Sequence, residues 1–126
     1  MPAAEILHGR RIVSSVSTID SAVFPLRALL LRFAPDDVLV VGDGPIDLAD
    51  QHAIVEDDHG WCALSVREDR VLEVLARHAA WAPPFDRPAL AQGMIAGLAA
   101  KVLLDGDRSL IIVAAPFAHE LEERLI

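Results

Sequence analysis

Cysteine, tyrosine and large aromatic side chains are scarce in this sequence. Cys62 is the only cysteine, which excludes an internal disulfide. Tyrosine is absent and aromatic residues make up 5% of the chain, whereas hydrophobic residues make up 53%. The core is therefore expected to be aliphatic. Cys62 lies on the apolar side of a predicted strand and is expected to be an inert buried thiol rather than a nucleophile.

Positive charge is also in short supply. Eleven Lys and Arg residues against 19 Asp and Glu residues give a formal net charge of −8 at pH 7. The summed field of such a chain repels phosphate backbones and anionic lipids. Nucleic acid and membranes are therefore not expected as partners.

Long apolar runs are missing as well. A membrane helix needs ~20 apolar residues, and the two most apolar segments, Ala28–Ala34 and Met94–Leu104, are much shorter. The first residues show no basic segment followed by an apolar run, as a secretory signal would. We therefore expect a soluble, cytoplasmic protein, and a single cysteine fits that reducing compartment.

The length of 126 residues predicts a single domain, 1–126, with one core. The mean hydropathy of +0.38 is high for so short a chain. This surplus indicates either an unusually complete core or an apolar surface that a partner covers, and we favour the second, which is common in permanent complexes.

The clearest local pattern is a strand followed by a helix within Trp61–Trp81. Alternation over Trp61–Arg67 puts three apolar side chains on one face of the strand, namely Cys62, Leu64 and Val66. The helix, predicted over Asp69–Ala80, has an apolar stripe made of Val71, Leu72, Leu75, Ala76 and Ala79. On its other side Glu73 and Arg77 are spaced for an i,i+4 ion pair.

Weaker patterns precede this unit. Residues 1–20 alternate loosely and predict an edge strand or an ordered arm. Short apolar runs predict three further strands, at Ala28–Ala34, Val38–Val41 and Ala53–Val55, although the first of these runs also fits a short helix. After the central helix, three prolines make Ala82–Pro88 a stiff crossover without regular structure.

The rest of the chain predicts a hairpin and a helix. Gln92–Leu98 and Ala99–Leu104 lead to the turn signal Asp105-Gly106-Asp107, and Leu110–Ala114 is expected to return antiparallel. Leu110–Ala114 shows no alternation, as expected of a strand covered on both faces. A helix over Phe117–Leu125 follows Pro116, with Phe117, Leu121 and Leu125 as its buried stripe and Glu120 and Arg124 spaced for an ion pair.

These elements predict an α+β fold. A mainly antiparallel sheet carries two packed helices, and the C-terminal half runs strand-helix-strand-strand-strand-helix.

Three groups of residues invite a chemical interpretation, and none has the required spacing. Gly42-Asp43-Gly44 lacks the further glycines and Lys of a phosphate loop and the spaced oxygens of a calcium loop, so we interpret it as a turn. His52 and His59 flank the acids at 56–58, but consecutive acids in a loop are typical of a solvated segment rather than of a metal site. His119 lies on a helix face that we interpret as solvated rather than catalytic. No catalytic, cofactor-binding or metal-binding residue is predicted.

Four stretches, in this order, carry a resemblance to a known family. They are Arg32–Val41 with its Ala-Pro-Asp-Asp before an apolar strand, the strand and helix of Trp61–Ala79, the strand pair of Gln92–Val102, and Val113–Ala118. They resemble the gamma subunit of heterotetrameric sarcosine oxidase, a relative of the aminomethyltransferase (glycine-cleavage T-protein) family.

The resemblance implies a small non-catalytic, structural subunit of a sarcosine-oxidase-like heteromeric flavoenzyme that oxidatively demethylates N-methyl amino acids. It also implies that flavin, NAD, folate and zinc are held by partner subunits and none by this chain, and that the main partner is a large flavoprotein subunit. The alternative is a stand-alone folate- or small-molecule-binding module of the same superfamily, which forms a homodimer when alone.

For the partner interface we predict Trp81 and Phe85. Both lie at or in the stiff proline segment, and aromatic side chains on a rigid segment anchor an interface at little cost in entropy. The alternative is that Trp81 and Phe85 belong to the core. Trp61 is a third candidate, but for Trp61 a place in the core explains the sequence at least as well, so it is not predicted at the interface.

Overall fold

The computed structural model describes residues 3–125 and has the predicted α+β fold. Its strands are β1 (Glu5–Ile6), β2 (Gly9–Val13), β3 (Leu29–Ala34), β4 (Asp37–Val41), β5 (Ile54–Asp58), β6 (Trp61–Ser65), β7 (Ala89–Ile95), β8 (Leu98–Leu104) and β9 (Leu110–Ala114). Its helices are α1 (Val16–Ser21), α2 (Glu68–His78) and α3 (Ala118–Arg124), and 3-10 turns cover Gly106–Arg108 and Ala115–Phe117.

The chain divides into two compact units, each with its own antiparallel sheet. The five-stranded unit comprises residues 3–7 and 60–125, with strand order β1-β6-β9-β8-β7. The four-stranded unit comprises residues 8–59, with strand order β3-β4-β2-β5. Whether the two units behave as the single domain inferred from the chain length stays a prediction.

In the five-stranded unit, α2 and α3 bury their apolar sides on one face of the sheet. The cluster combines Val71, Val74 and Leu75 of α2 and Leu121 of α3 with strand residues such as Leu64 and Ile111. The order strand-helix-strand-strand-strand-helix is confirmed. Burial of this continuous aliphatic cluster is the main favourable term in the stability of the unit.

The face of α2 differs in part from the predicted stripe. Val71 and Leu75 are buried as expected, but Leu72 is 38% exposed, Ala76 is exposed too, and Val74 is buried instead. A helix buries positions i, i+3 and i+4, so Val71 groups with Val74 and Leu75. Glu73 forms its ion pair with Arg70, one turn before it, at 2.8 Å, whereas the predicted partner Arg77 lies one turn after it.

The C-terminal hairpin is confirmed, because β8 pairs antiparallel with β9. Leu110, Ile111, Ile112 and Val113 are all buried, as predicted for a strand covered on both faces. The preceding strands β7 and β8 are joined at Ala96-Gly97 rather than after Leu98. Ala96 and Gly97 have φ angles of 50° and 80°, the left-handed values that a two-residue hairpin loop requires.

The last helix begins one residue later than predicted, and Phe117 lies outside its buried stripe. Leu121 and Leu125 are buried, whereas Phe117 is 46% exposed. Pro116 occupies the start of a 3-10 turn, so Phe117 precedes α3 and points elsewhere than its apolar side. The predicted Glu120–Arg124 ion pair is present.

Residues 1–20 are only partly an edge strand. β1 lies at the edge of its sheet, but β2 lies between β4 and β5, and α1 follows it. Ser15 caps α1, since its Oγ accepts a hydrogen bond from the Thr18 N–H at 3.3 Å. The prediction of an edge strand or arm is therefore wrong for Gly9–Val13, because this strand is paired on both sides. Both of its neighbouring strands come later in the chain.

The three strands predicted within the four-stranded unit are confirmed as β3, β4 and β5, with shifted ends. The acids Glu56, Asp57 and Asp58 belong to the edge strand β5. The prediction that they lie in a loop is therefore wrong. The turn at Gly42–Gly44 has φ angles of 123° and 122° at its two glycines, which only glycine adopts readily. Among residues 3–125, no helix has the length and apolar character needed to cross a membrane.

Candidate functional site

An open groove lies on the face of the five-stranded sheet opposite α2 and α3. Its volume is about 360 Å³, and it is lined by Trp61, Gln92, Gly93, Met94, Ala99, Ala100, Lys101, Ala114 and Phe117. Such a size is within the range of ligand sites in proteins, roughly 300–1,000 Å³.

Strand register places these side chains together. Trp61 is paired with Ala114, Gln92 with Lys101, and Met94 with Ala99, and cross-strand partners share a face. Small residues form the floor, while Trp61, Met94 and Phe117 form the walls. Met94 is 55% exposed, so the groove has a partly open apolar rim.

One cationic side chain lines the groove. The Nζ of Lys101 donates to the Oε1 of Gln92 at 2.9 Å and lies 5.1 Å from the centroid of the Trp61 ring. A Lys at this distance from an indole is held by a cation–π interaction. The groove thus joins apolar walls to a positioned ammonium group, which suits binding and supplies no nucleophile–base pair.

Trp81, predicted at a partner interface, is half-buried and has a structural contact. Its Nε1 donates to the carbonyl of Met94 at 3.0 Å, and the indole covers Gly93 on β7. A Cβ at Gly93 would lie only 2.5 Å from that Nε1. Trp81 therefore packs against the edge strand β7. This contact favours the alternative in which much of the Trp81 side chain belongs to the core.

Phe85, the other predicted anchor, is 98% exposed. Its segment is held to α2 by Arg87, whose Nε donates to the Oε1 of Glu68 at 2.8 Å. Nη1 of Arg87 also donates to the carbonyl of Pro84 at 2.6 Å. Phe85 thus stands on a braced, proline-rich segment, and residues 3–125 leave almost all of its side chain uncovered.

No protein-family model matches this chain, and no curated protein or solved structure is significantly similar to it. The resemblance to the sarcosine oxidase gamma subunits therefore stays a prediction.

The histidines considered from the sequence fall into different surroundings. The His52 N–H donates to Asp50 at 2.8 Å, whereas the ring of His59 meets that of His8. Within residues 3–125, no three or more His, Cys, Asp or Glu side chains are placed to hold one metal ion. His119 is exposed on α3 and lies 3.0 Å from Glu123, in agreement with a solvated face.

The displaced pKa values of Cys62, Asp50 and Arg11 each have a structural explanation. Cys62 is buried as predicted, and burial raises the pKa of its thiol, with a smaller effect from Glu122. The hydrogen bond from Ser14 lowers the pKa of Asp50. The hydrogen bond to Asp37 raises the pKa of Arg11, which also donates to Asp58.

Sequence reasoning missed the groove, although a signal was present. Gln92 and Met94 occupy alternate positions on one strand, and Ala99 and Lys101 do so on the next. Once the hairpin turn is placed at Ala96-Gly97, the four fall on the same face. Because we placed the strand boundary after Leu98, that coincidence was hidden.

Proposed function

We propose that this protein is a small non-catalytic subunit of a sarcosine-oxidase-like heteromeric flavoenzyme, which oxidatively demethylates N-methyl amino acids on its partner subunits. In this proposal the chain works through an apolar contact with a large flavoprotein subunit, while flavin, NAD, folate and zinc are held by the partners.

The observation that carries the proposal is the exposure of Phe85. A large aromatic side chain that is 98% exposed gains almost none of the favourable free energy that burial would give it. The bracing of its segment by Arg87 and Glu68 reduces the entropy lost when a partner covers it. Exposed aromatic anchors on rigid segments are typical of interface hot spots.

The test is coexpression with a large flavoprotein subunit of a sarcosine-oxidase-like enzyme, followed by copurification. We expect the parent chain to copurify and Phe85→Ala to lose at least about 2 kcal/mol of binding, as hot-spot residues do. Leu26→Ala is the matched control, because Leu26 is equally exposed but lies in the four-stranded unit.

Unchanged copurification of Phe85→Ala would contradict the role of that side chain. Absence of any complex with the parent chain would contradict the subunit assignment. Trp81→Ala is less informative here, because Trp81 also supports β7 and its loss affects the fold.

The groove favours a second candidate function, a stand-alone small-molecule-binding module of the aminomethyltransferase-like superfamily. Its apolar walls and single positioned ammonium group are typical of a site for a small organic ligand. A titration of the purified chain with folate, following tryptophan fluorescence to which Trp61 and Trp81 both contribute, would test this candidate. Saturable quenching that Lys101→Met weakens would favour the module, whereas no response to folate would count against it.

A further inference from the structure

Two histidines that are far apart in the sequence meet at one end of the four-stranded unit. His8 directly precedes β2 and His59 directly follows β5. These strands are antiparallel neighbours, and their pairing ends with Gly9 opposite Asp58. His8 and His59 are therefore the next residues beyond the same end of the ladder.

The two imidazole rings are in contact. Their centroids are 5.0 Å apart and their planes make an angle of 78°. Both residues are exposed, so the pair is accessible from solvent.

This separation matches two imidazoles on one metal ion. A metal–nitrogen bond of 2.0–2.1 Å puts each ring centroid about 3.2 Å from the metal, so a tetrahedral angle separates the two centroids by about 5 Å.

We propose that His8 and His59 together bind a divalent transition-metal ion, with one nitrogen of each ring as ligand. Imidazole nitrogen prefers Cu²⁺, Ni²⁺ and Zn²⁺ over Mg²⁺ or Ca²⁺, which require oxygen ligands. Water completes the coordination, and the open positions make this a surface chelate rather than a closed structural site.

The bound ion links the residue at which the chain enters the four-stranded unit to the residue at which it leaves. The unfolded chain does not hold these two side chains together, so the ion binds the folded state preferentially and stabilises it. The site is independent of the proposed subunit function.

Isothermal titration calorimetry of the chain without a polyhistidine tag, with NiCl₂ near neutral pH, tests the proposal. We expect one Ni²⁺ per chain. Loss of even an outer contact of a metal ligand costs roughly ten- to hundredfold in affinity, so His8→Ala and His59→Ala are each expected to cost at least about tenfold. His52→Ala and His119→Ala are matched controls, because both residues are exposed but lie outside the pair.

A second readout is the melting temperature. Ni²⁺ should raise it in the parent chain and in both control variants but not in His8→Ala or His59→Ala, and His8→Gln should behave like His8→Ala. Equal Ni²⁺ affinity in the parent chain and in His8→Ala would overturn the proposal. An equal loss of affinity in His52→Ala would do so too, since binding would then be spread over unrelated histidines.

Discussion

The two units of this protein are built on sheets of similar size but are stabilised differently. In the five-stranded unit, two helices cover one face of the sheet, and the buried cluster draws on α2, α3 and four strands. In the four-stranded unit, the six-residue helix α1 contributes a single buried residue, Ile19, to a smaller cluster with Ile12, Val38 and Val40.

The four-stranded unit adds charge to this packing. Nη2 of Arg11 donates to Oδ2 of Asp37 at 2.6 Å, and its Nη1 donates to Oδ2 of Asp58 at 3.2 Å. The guanidinium also lies 4.9 Å from the centroid of the Phe33 ring. Since β2 lies between β4 and β5, one side chain ties all three strands together. The comparison suggests that aliphatic burial dominates in one unit and that an ion network supplements it in the other.

The largest effect should come from a charge placed in the larger core. Leu75→Asp puts an unpaired carboxylate where Leu75 is now 3% exposed, and we expect a loss of more than about 4 kcal/mol, a large share of the roughly 5–15 kcal/mol that stabilises a typical domain. Circular dichroism melting measures this loss. Leu72→Asp, on the exposed side of the same helix, should melt close to the parent chain, and equal melting of the two variants would mean that the helix face is assigned wrongly.

A smaller loss should follow from crowding Trp81. Gly93→Ala places a Cβ within 2.5 Å of the indole nitrogen, which must move and give up its hydrogen bond to Met94. We expect a loss of about 1–3 kcal/mol in urea unfolding. In a Trp81→Ala background the same substitution should cost almost nothing, and an undiminished cost there would show that the clash is not the cause.

Removing the ion network should affect the four-stranded unit. Arg11→Met leaves Asp37 and Asp58 without their shared guanidinium, and because these groups are only partly buried we expect a loss of about 1–2 kcal/mol. Urea unfolding at low and high salt measures it, and the difference between variant and parent should shrink as salt rises. Arg10→Met, which removes one hydrogen bond to Gly42, should change stability by less than about 0.5 kcal/mol.

The smallest expected effect is a gain in stability at the β7–β8 turn. Ala96 has a φ of 50°, a conformation that costs an alanine roughly 1–2 kcal/mol relative to glycine. Ala96→Gly should therefore raise the free energy of unfolding by about 1 kcal/mol. Ala99→Gly, on the adjacent strand, should lower it by about 0.5–1 kcal/mol. A loss at both positions would show that packing of the Ala96 methyl group outweighs the relief of backbone strain.

These contrasts bear on what could be read from the sequence. Over residues 61–125, periodicity, prolines and turn signals gave the order of strands and helices, because neighbours in that sequence are mostly neighbours in the sheet. The errors there are local. Leu72 and Val74 exchanged roles on one helix, and the Ala96-Gly97 turn was missed because it lacks the Asn-Gly or Asp-Gly signal.

The four-stranded unit was harder to predict for a physical reason. β2 pairs with β4 and β5, which come later in the chain, and nothing within Gly9–Val13 names those partners. Long-range pairing depends on side chains from both strands, so a pattern in one of them leaves its neighbours open.

The same division applies to the candidate sites. Composition and local pattern were enough to predict an aliphatic core, a buried Cys62 and a stiff segment around Phe85, since these features depend on nearby residues alone. Only the tertiary structure placed Trp81 over Gly93, Lys101 beside Trp61 and His8 against His59. Each of these contacts joins residues that are more than ten positions apart. Strand register, to which both strands contribute, brings Lys101 to Trp61 and His8 to His59, whereas Trp81 reaches Gly93 from the segment between α2 and β7.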